Sequence, residues 1–264
     1  MNLKLNGQLA LVTGATKGIG FAIAQRLVEE GAQVIVCGRD EISLASAQEQ
    51  LGGKNRVSTI QCDLATATGA NALIEKLKDI GEPDILINNV GFFEVRNFFE
   101  TSDADWTLMF ELNVMSGVRL ARALMPAMLE RKRGRVVFIA SEQSVKPNPE
   151  MAHYAMSKAA QVSVSRALAE LTRGTAVTVN SVLVAPTWTE GVEAFLKPLA
   201  AKSGVDVEDM RTAYFENDGA SSLIQRFATP REIADVVAFI ASPNASAING
   251  AAIRADGGII RSLF

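Results

Sequence analysis

Short apolar runs alternate along the chain with stretches whose apolar residues recur at helical spacing. The apolar runs predict seven strands, at 8–14, 33–38, 57–63, 84–90, 135–141, 177–184 and 251–256. Between them lie helical patterns, at about 19–30, 41–51, 68–80, 103–130, 152–173 and 230–241. The runs at 9–12 and 136–139 are apolar without alternation, so both faces of those strands should be covered. The sequence therefore predicts one α/β domain over residues 1–264, a doubly wound parallel sheet with helices on both faces.

The last helix and the stretch before it carry the clearest local signals. Thr229 can cap the helix at 230–241, Pro230 fits its first turn, and Glu232 completes a capping box. The preceding stretch, 187–228, has no strand pattern and mixed helical signals. Because so long an insertion between a strand and a helix is often functional, we predict that it forms a lid over the substrate.

Composition and charge narrow the partners that this domain can have. Apolar residues make up 48% and charged residues 21% of the 264 residues, which is typical of a globular protein. The net charge of −3 and the pI of about 5.4 predict no basic field for binding nucleic acid or anionic lipid. No apolar run reaches the length of a membrane span, and the first residues lack the form of a signal peptide.

The cysteine and histidine content predicts neither a disulfide nor a metal site. Cys37 and Cys62 fall in predicted buried strands, where thiols usually act as small apolar side chains. Free thiols suit a reducing compartment. Two cysteines and one histidine are too few for a zinc site. We therefore expect a cytoplasmic protein that holds no metal ion.

A glycine-rich turn joins the first predicted strand to the first predicted helix. Gly14 permits a tight turn, Gly18 lets the backbone approach a pyrophosphate, and Gly20 lets the helix pack on the strand. The start of the helix then offers N–H groups and a positive dipole end to the phosphates. A structural turn without a ligand is the alternative. The candidate cofactor residues of this turn are Gly14, Thr16, Lys17, Gly18, Ile19 and Gly20.

The end of the second strand bears on the choice between NADP and NAD. Folds that prefer NAD generally have an acidic residue there, against the ribose 2′-hydroxyl. Here Gly38 ends the strand and Arg39 follows, while Lys17 lies in the glycine turn. Both basic residues are placed to pair with a 2′-phosphate, which arginine can bind bidentately, although they could also be solvated surface charges. Asp40 argues the other way, since a modest shift of the chain would bring its carboxylate towards the ribose.

Tyr154 and Lys158 are candidates for proton transfer. They lie at i and i+4 at the start of a helix, so both side chains project from one face. The nearby ammonium and a positive nicotinamide ring should lower the pKa of the phenol towards neutrality. Ser141 ends the fifth strand and could hold the substrate oxygen, while Asn113 could support Lys158 through its backbone or a water. A packed tyrosine and a solvated lysine are the alternative.

These residues together resemble the short-chain dehydrogenase/reductase family over essentially the whole chain. The glycine turn is similar to the family's cofactor signature, and Asn113, Ser141, Tyr154 and Lys158 match its catalytic tetrad. The resemblance implies a Rossmann-like fold, and the most similar branch is the NADP(H)-preferring one that includes 3-oxoacyl-carrier-protein reductase. It also implies that Tyr154 and Lys158 contact the cofactor.

The resemblance implies further cofactor contacts at the ends of three strands. The segment 88–91 is similar to the family's N-N-A-G, with Val90 in place of alanine, which should tighten packing there. After the sixth strand the family has P-G followed by a threonine. Thr187 replaces that glycine, so the resemblance leaves the mobility of the lid in doubt. The residues implied at these positions are Asp63, Leu64, Asn89, Gly91, Pro186, Thr187 and Thr189.

Four residues near the expected cleft are candidates for substrate contact. Glu142 and Gln143 follow Ser141 directly and should face the cleft, which favours a substrate with hydrogen-bonding groups. His153, the one histidine, is more often a structural residue than a catalyst in such a position. Trp188 could shield the cleft, stack on substrate or simply pack. Core packing or a subunit contact is favoured over substrate contact for the phenylalanines at 92, 93, 98 and 99.

We therefore expect an NADP(H)-dependent oxidoreductase that transfers hydride between the nicotinamide and a small carbonyl or alcohol substrate, with Tyr154 as general acid and base. An NADP(H) sensor without turnover is the alternative from another class, and it predicts loss of a tetrad member. A third possibility is chiefly oxidative activity on a sugar or sterol alcohol. The helices at 103–130 and 152–173 and the apolar tail at 259–264 favour a homotetramer.

Overall fold

A seven-stranded parallel sheet organises residues 1–263, the part of the chain that the computed structural model describes. Its strands lie in the order β3-β2-β1-β4-β5-β6-β7, and every neighbouring pair is parallel. The predicted doubly wound sheet is confirmed. The strands are β1 (Leu9–Thr13), β2 (Gln33–Gly38), β3 (Val57–Gln61), β4 (Ile85–Asn88), β5 (Arg133–Ser141), β6 (Ala176–Val184) and β7 (Ala252–Ala255).

Helices cover both faces of the sheet, which is why its central strands are apolar on both sides. α1, α2 and α9 pack on one face, while α3, α5 and α6 pack on the other. The helices are α1 (Gly18–Glu29), α2 (Glu41–Gln50), α3 (Ala67–Ile80), α4 (Asp103–Phe110), α5 (Ser116–Glu130), α6 (Ala152–Glu170), α7 (Glu190–Ser203), α8 (Val207–Glu216) and α9 (Pro230–Ala241).

The chain reverses its direction of winding between β1 and β4. β1 pairs with β2 on one side and with β4 on the other, although β4 comes later in the sequence. In such a sheet, the crevice outside the carboxyl ends of the strands at this switch point is where ligands bind. The glycine turn after β1 and the segment after β4 therefore meet at one edge of the sheet.

The structure differs from the sequence prediction in the long helix, and it gives the secondary structure of the region predicted to form a lid. The predicted helix at 103–130 is interrupted at Glu111–Met115 by a π-helical turn, which an apolar pattern cannot distinguish from an α-helix. The region 187–228 contains α7 and α8, and its two ends are joined by a bridge between Thr187 and Ala228. Thr229 and Glu232 form the predicted capping box at the start of α9.

The described part of the chain contains neither a membrane-spanning helix nor a cluster of metal ligands. None of the helices within residues 1–263 has both the length and the apolar character needed to span a bilayer. The same residues contain no cluster of three or more histidine, cysteine, aspartate or glutamate side chains that could hold a metal ion. Of the tail predicted to form a subunit contact, Phe264 lies outside the described residues.

Candidate active site

The glycine turn adopts a backbone that only glycine enters easily. Gly14 has φ +62° and Gly18 has φ +61°, both in the left-handed region. The turn leads directly into α1, and Lys17 at its N-cap position makes no side-chain capping bond. The first turn of α1 contains no acidic side chain either. The helix start therefore presents backbone N–H groups and a positive dipole end, and the nearby carboxylate is that of Glu190, whose Oε2 lies 3.9 Å from where a Cβ of Gly18 would be.

Gly20 is needed because the segment after β4 packs against the turn. A Cβ atom at this position would collide with Asn89 Nδ2 and with the carbonyl oxygen of Gly14. Asn89 Nδ2 donates to the carbonyl oxygens of Thr13, at 2.9 Å, and of Gly14, at 3.1 Å. Val90 lies close by, with its Cγ2 atom 3.0 Å from where a Cβ of Gly14 would be. These contacts hold the turn at the switch point.

Thr13 is a positioning residue that the sequence analysis missed. Its buried hydroxyl donates to the carbonyl oxygen of Ile87 at 3.2 Å. The hydroxyl oxygen of Thr13 in turn accepts hydrogen bonds from the backbone N–H groups of Asn89, at 2.9 Å, and Val90, at 3.0 Å. One threonine thus ties the ends of β1 and β4 together. A polar residue at the end of an otherwise apolar strand was the available signal.

The end of β2 presents basic rather than acidic side chains to the edge of the sheet. Arg39 and Lys17 are both exposed there. The carboxylate of Asp40 is occupied elsewhere, since it caps α2 by accepting from the backbone N–H of Ser43 at 2.7 Å and from the Ser43 hydroxyl at 2.6 Å. These hydrogen bonds hold the pKa of Asp40 below its usual value. The one acidic residue that argued for NAD therefore points to the helix.

The end of β3 lies next to that of β2. Asp63 is exposed, and its carboxylate accepts from the backbone N–H of Ala65 at 3.1 Å. Leu64 is buried in the core between the sheet and α3. Cys37 and Cys62 are buried free thiols in the same core, as the sequence predicted. Asp63 thus lies where a ligand bound at the sheet edge could contact it, while the side chain of Leu64 is part of the core.

Tyr154 and Lys158 project from the start of α6 towards the end of β5. Lys158 Nζ lies 5.7 Å from the centre of the Tyr154 ring. It donates to the carbonyl oxygen of Ile139 at 2.8 Å and to Gln161 Oε1 at 3.0 Å. Burial lowers the pKa of Lys158 to about 8, and the charge of Glu142 acts in the opposite direction. The ammonium is thus fixed beside the tyrosine but costs free energy to keep charged.

Asn113 lies in the π-helical turn and faces α6 and the segment after β4. Its side-chain amide donates to the carbonyl oxygen of Phe92 and to Ser157 Oγ, both at 2.9 Å, and accepts from the Phe92 N–H at 2.8 Å. Its backbone carbonyl accepts from Gln161 Nε2 at 2.6 Å. The expected support for Lys158 therefore runs through Gln161, because that amide contacts both groups.

Gln161 is the second residue that the sequence analysis missed. It is buried, and it follows Tyr154 and Lys158 at i+7 and i+3, on the same face of α6. That spacing was the signal that could have identified it. Gly91 is close to the same group, since a Cβ there would lie 3.2 Å from Lys158 Nζ. A larger residue at 91 would crowd the ammonium.

Ser141 ends β5 and is buried next to two polar side chains. Its Oγ lies 2.5 Å from Glu142 Oε2 and accepts from the backbone N–H of Gln143 at 3.2 Å. The Gln143 side-chain amide donates to Glu142 Oε1 at 3.1 Å. Its own carbonyl oxygen accepts from the N–H of Asn148 at 2.8 Å. Glu142 and Gln143 thus surround the serine.

The pKa of Tyr154 differs in direction from the sequence expectation. Burial of the hydroxyl and the nearby charge of Glu142 raise it above the ordinary value, while a hydrogen bond with Ser141 acts in the opposite direction. Lys158 does not reverse this because its ammonium is directed to the Ile139 carbonyl and Gln161. The protein alone therefore keeps Tyr154 protonated, which suits an acid.

The phenylalanines after β4 divide into two groups. Phe93 packs edge-on against Tyr154, with ring centres 6.4 Å apart, and against Phe195 of α7 at 5.8 Å. Phe93 therefore lies between the tyrosine and the predicted lid. The sequence favoured core packing or a subunit contact for this residue, but its position beside Tyr154 is compatible with substrate contact. Phe98 and Phe99 pack on each other and are exposed, at 53% and 92%.

His153 points away from the cleft despite its position next to Tyr154. It is buried, and its ring packs against Trp106 at 6.1 Å. Its Nε2 lies 3.8 Å from Glu94 Oε2, beyond hydrogen-bond distance. Adjacent residues on a helix point in directions about 100° apart, so the side chains of His153 and Tyr154 lie on different faces of α6. These contacts support the structural role for His153.

The base of the predicted lid, residues 187–228, is fixed at both ends. The backbone N–H of Trp188 donates to the carbonyl oxygen of Ala228, and the N–H of Ala228 donates to the carbonyl oxygen of Pro186, each at 2.9 Å. The Thr187 hydroxyl donates to the Ala185 carbonyl at 2.8 Å. Thr189 caps α7, and its side chain lies 3.6 Å from where a Cβ of Gly18 would be. The lid therefore leaves the sheet beside the glycine turn.

An aromatic cluster fills the interior of the lid. Trp188 packs against Phe227 at 5.3 Å, and the Arg211 guanidinium lies over its ring at 4.5 Å. Tyr214 and Phe215 of α8 pack on the same phenylalanine, each at 5.1 Å. These contacts support the packing alternative for Trp188. They also place Tyr214 near the cleft, since the charge of Glu142 contributes to raising its pKa.

The sequence of the whole chain is similar to known oxidoreductases. A family model described as short chain dehydrogenase matches residues 8–198. The uncharacterized oxidoreductase YvrD of Bacillus subtilis is 49% identical over 263 residues and is matched over 100% of both chains. The 3-oxoacyl-[acyl-carrier-protein] reductase FabG of Escherichia coli is 31% identical over 262 residues, covering 97% of this chain and 99% of FabG.

The fold is similar to that of a solved complex. L-sorbose reductase from Gluconobacter frateurii, complexed with NADPH and L-sorbose, superimposes with a TM-score of 0.94 at 32% sequence identity. The match covers 100% of both chains. The likeness therefore includes the lid as well as the sheet.

Proposed function

The chain belongs to the short-chain dehydrogenase/reductase family of oxidoreductases, and from that membership we propose that it is an NADP(H)-dependent enzyme acting on a ketone or secondary alcohol. The observation that carries the proposal is the convergence of Ser141, Tyr154 and Lys158 at the sheet edge that holds the glycine turn. A nucleotide sensor would not need a proton donor and a buried ammonium beside the same cleft.

The residues at the switch point fit a dinucleotide. Gly14 and Gly18 give the backbone approach that a pyrophosphate requires, and the uncapped start of α1 supplies N–H groups. Asp63, Asn89 and Gly91 would line the adenosine and ribose side, while Pro186 and Thr189 would lie on the nicotinamide side. A bound NADP(H) supplies or accepts the hydride.

Preference for NADP(H) over NAD(H) rests on three residues. Arg39 and Lys17 are exposed at the edge where a 2′-phosphate would lie, and both can form charge-assisted hydrogen bonds with it. Asp40 does not oppose them, because its carboxylate caps α2. The likeness to L-sorbose reductase, which was solved with NADPH, supports the same choice.

In the reductive direction, Tyr154 donates its proton to the oxygen of the substrate as the carbonyl carbon gains hydride. The phenol stays protonated at neutral pH and therefore has a proton to give, although its raised pKa makes it a weaker acid than an exposed tyrosine. Ser141 orients the substrate oxygen, and Phe93 walls the cleft beside the ring. In the oxidative direction, the phenol must lose its proton, and positive charge on the nicotinamide side of the cleft would favour that loss.

Lys158 and Gln161 would link the tyrosine to the interior of the protein. Lys158 donates to Gln161, and Gln161 donates to the carbonyl of Asn113 in the π-helical turn. This chain of hydrogen bonds fixes the ammonium near the phenol, where its charge favours the phenolate. Asn113 in turn holds the segment after β4 through Phe92.

Steady-state reduction of a substrate panel tests the proposal. Purified protein is incubated with NADPH and a set of simple ketones, aldehydes and hydroxyketones, and loss of NADPH absorbance is followed. The likeness to L-sorbose reductase makes L-sorbose the first hydroxyketone to include. We expect turnover of at least one ketone, with NADH much less effective. Tight NADPH binding without turnover of any member would favour the sensor instead.

We also propose that the protein is a cytoplasmic homotetramer. Exposed apolar residues on and before α4, which include Phe98, Phe99 and Leu108, give it a surface that subunit contact would bury. The two free thiols suit a reducing compartment. Sedimentation velocity tests the assembly, and a stable monomer at micromolar concentration would contradict it.

A further inference from the structure

A buried carboxyl group lies directly against the hydroxyl of Ser141. Glu142 is 6% exposed and begins the short helical turn that follows β5. One of its oxygens is 2.5 Å from Ser141 Oγ, and the other accepts from the side chain of Gln143 at 3.1 Å. Burial raises the pKa of Glu142, so at a given pH its carboxyl group is protonated to a larger extent than that of an exposed glutamate.

The number of protons available to Ser141 decides what it can do for a substrate. A hydroxyl has one proton to donate and two lone pairs, and one lone pair already accepts from the N–H of Gln143 at 3.2 Å. An ionised carboxylate can only accept. If Glu142 is ionised, Ser141 therefore donates its single proton to Glu142. It then has nothing to donate to a carbonyl oxygen, which is also only an acceptor.

Protonation of Glu142 reverses this direction. A carboxylic acid donates its proton, and Ser141 Oγ has a lone pair to accept it at the same contact. The serine proton is then free of Glu142 and is available to the Tyr154 oxygen, with which Ser141 already makes a hydrogen bond, and to a substrate oxygen bound between the two. A ketone in the cleft would receive two donors, one from Ser141 and one from Tyr154, and both would stabilise the negative charge that develops on its oxygen.

We propose that Glu142 is a positioning residue that sets the direction of the Ser141 hydroxyl, and that ketone reduction requires Glu142 in its protonated form. The inference rests on the proposed function, because it assumes that Ser141 holds the substrate oxygen. Glu142 itself donates nothing to the substrate. The proton it carries stays on the carboxyl group throughout the reaction.

The groups that face Glu142 act on its protonation in different directions. Tyr154 and Lys158 approach it from α6, and Tyr214 approaches from α8. The two phenols are neutral, so only the Lys158 ammonium favours the carboxylate by its charge. The ammonium of Lys146, on the loop that follows, is exposed and donates to the carbonyl of Asp218. Burial acts against ionisation and is the largest influence on the pKa of Glu142.

The pH dependence of kcat/KM for ketone reduction tests the proposal. The holoenzyme should lose activity in two steps as the pH rises, first with ionisation of Glu142 and then, at higher pH, as the Lys158 ammonium, whose pKa is about 8, and afterwards the Tyr154 phenol lose their protons. Between the two, the rate should fall about tenfold per pH unit. In Glu142→Gln, the amide can donate to Ser141 and accept from Gln143 at every pH. The first decline should therefore disappear, while the second remains.

Glu150→Gln is the matched control, since it removes an exposed carboxylate from the turn that precedes α6. This variant should keep both declines of kcat/KM with rising pH. A first decline that persists unchanged in Glu142→Gln would overturn the proposal, and so would a wild-type profile that contains only the later decline from Lys158 and Tyr154. If wild type reduces no ketone at any pH, the proposed function fails instead.

A second measurement keeps the proposal testable if Glu142→Gln does not fold or bind NADPH. Infrared spectra of the wild-type complex with NADPH should contain the C=O stretch of a protonated carboxylic acid. That band should vanish over the same pH range as the first decline in activity. A carboxyl group that is already ionised below that range would contradict the inference.

Discussion

Lys158 Nζ donates a hydrogen bond to Gln161 Oε1 at 3.0 Å, one turn further along the same helix. The amide of Gln161 is itself buried and is held by the carbonyl oxygen of Asn113 at 2.6 Å. Both partners of the ammonium, Gln161 and the Ile139 carbonyl, are neutral. The position of the charge beside Tyr154 therefore depends on hydrogen bonds to neutral groups, while the charge of Glu142 acts on it without a hydrogen bond.

Replacing Gln161 by leucine should impair turnover through Lys158. The ammonium loses one of its two hydrogen bonds, and we expect kcat to fall about tenfold, which corresponds to about 1.4 kcal/mol. The KM for the ketone should change less, because Gln161 does not face the cleft. Gln161→Glu keeps an acceptor for Lys158 and should recover part of the loss. Equal activity of Gln161→Leu and wild type would show that the bond is dispensable.

Burial of Lys158 should make stability depend on pH. Its pKa is about 8 in the folded protein against 10.5 ordinarily, so the unfolded chain binds more protons between these values. Stability should therefore rise with pH in this window and be reduced below it. From pH 7.5 to 9.5, the free energy of unfolding of wild type should gain about 2 kcal/mol relative to Lys158→Met. Urea unfolding of both proteins measures this, and a constant difference would contradict it.

Arg39 should determine the preference for the phosphorylated cofactor. Arg39→Glu places a negative charge where a 2′-phosphate would lie, and we expect the KM for NADPH to rise by roughly an order of magnitude or more. The KM for NADH should change much less. Arg173→Glu makes the same charge change at an exposed position after α6 and serves as the control. An unchanged KM for NADPH in Arg39→Glu would refute the role of this residue.

The capping box of α9 should contribute to stability but not to catalysis. Thr229 Oγ1 accepts from the N–H of Glu232 at 3.3 Å, and Glu232 Oε2 accepts from the N–H of Thr229 at 2.8 Å. Thr229→Ala leaves the helix N–H unsatisfied and should cost about 1 kcal/mol in chemical denaturation. Thr229→Ser keeps the hydroxyl and should cost less. Loss of activity without loss of stability would mean that the cap also shapes the lid.

The sheet could be predicted from the sequence because its strands are buried on both faces. Continuous apolar runs separated by helical patterns, as on either side of β5, are typical of strands in a covered parallel sheet. The cap of α9 was predictable for a similar reason, since Thr229 and Glu232 act within one turn of chain. The π-helical turn around Asn113 was not, because it spans only the five residues Glu111–Met115, and so short a change of register is not distinguishable within a long helical pattern.

The side chains that surround the candidate site were predicted less well. Gln161 was missed because its partners, Lys158 and the Asn113 carbonyl, meet only when α6 packs against the helix before it. Asp40 seemed to argue for NAD until the structure directed its carboxylate to the start of α2, although Ser43 three residues later was a visible capping signal. The raised pKa of Tyr154 results mainly from burial of its hydroxyl, and that burial could not be predicted from the amino-acid sequence.

Turnover of Tyr154→Phe is the most direct measurement of the central claim, that the Tyr154 hydroxyl gives its proton to the substrate oxygen. The change removes one oxygen and keeps the ring that packs on Phe93. With a ketone that wild type reduces, we predict that kcat falls by a factor of hundreds or more, while the Kd for NADPH stays within a few-fold of wild type. A variant that binds NADPH and turns over at a near-normal rate would contradict the account.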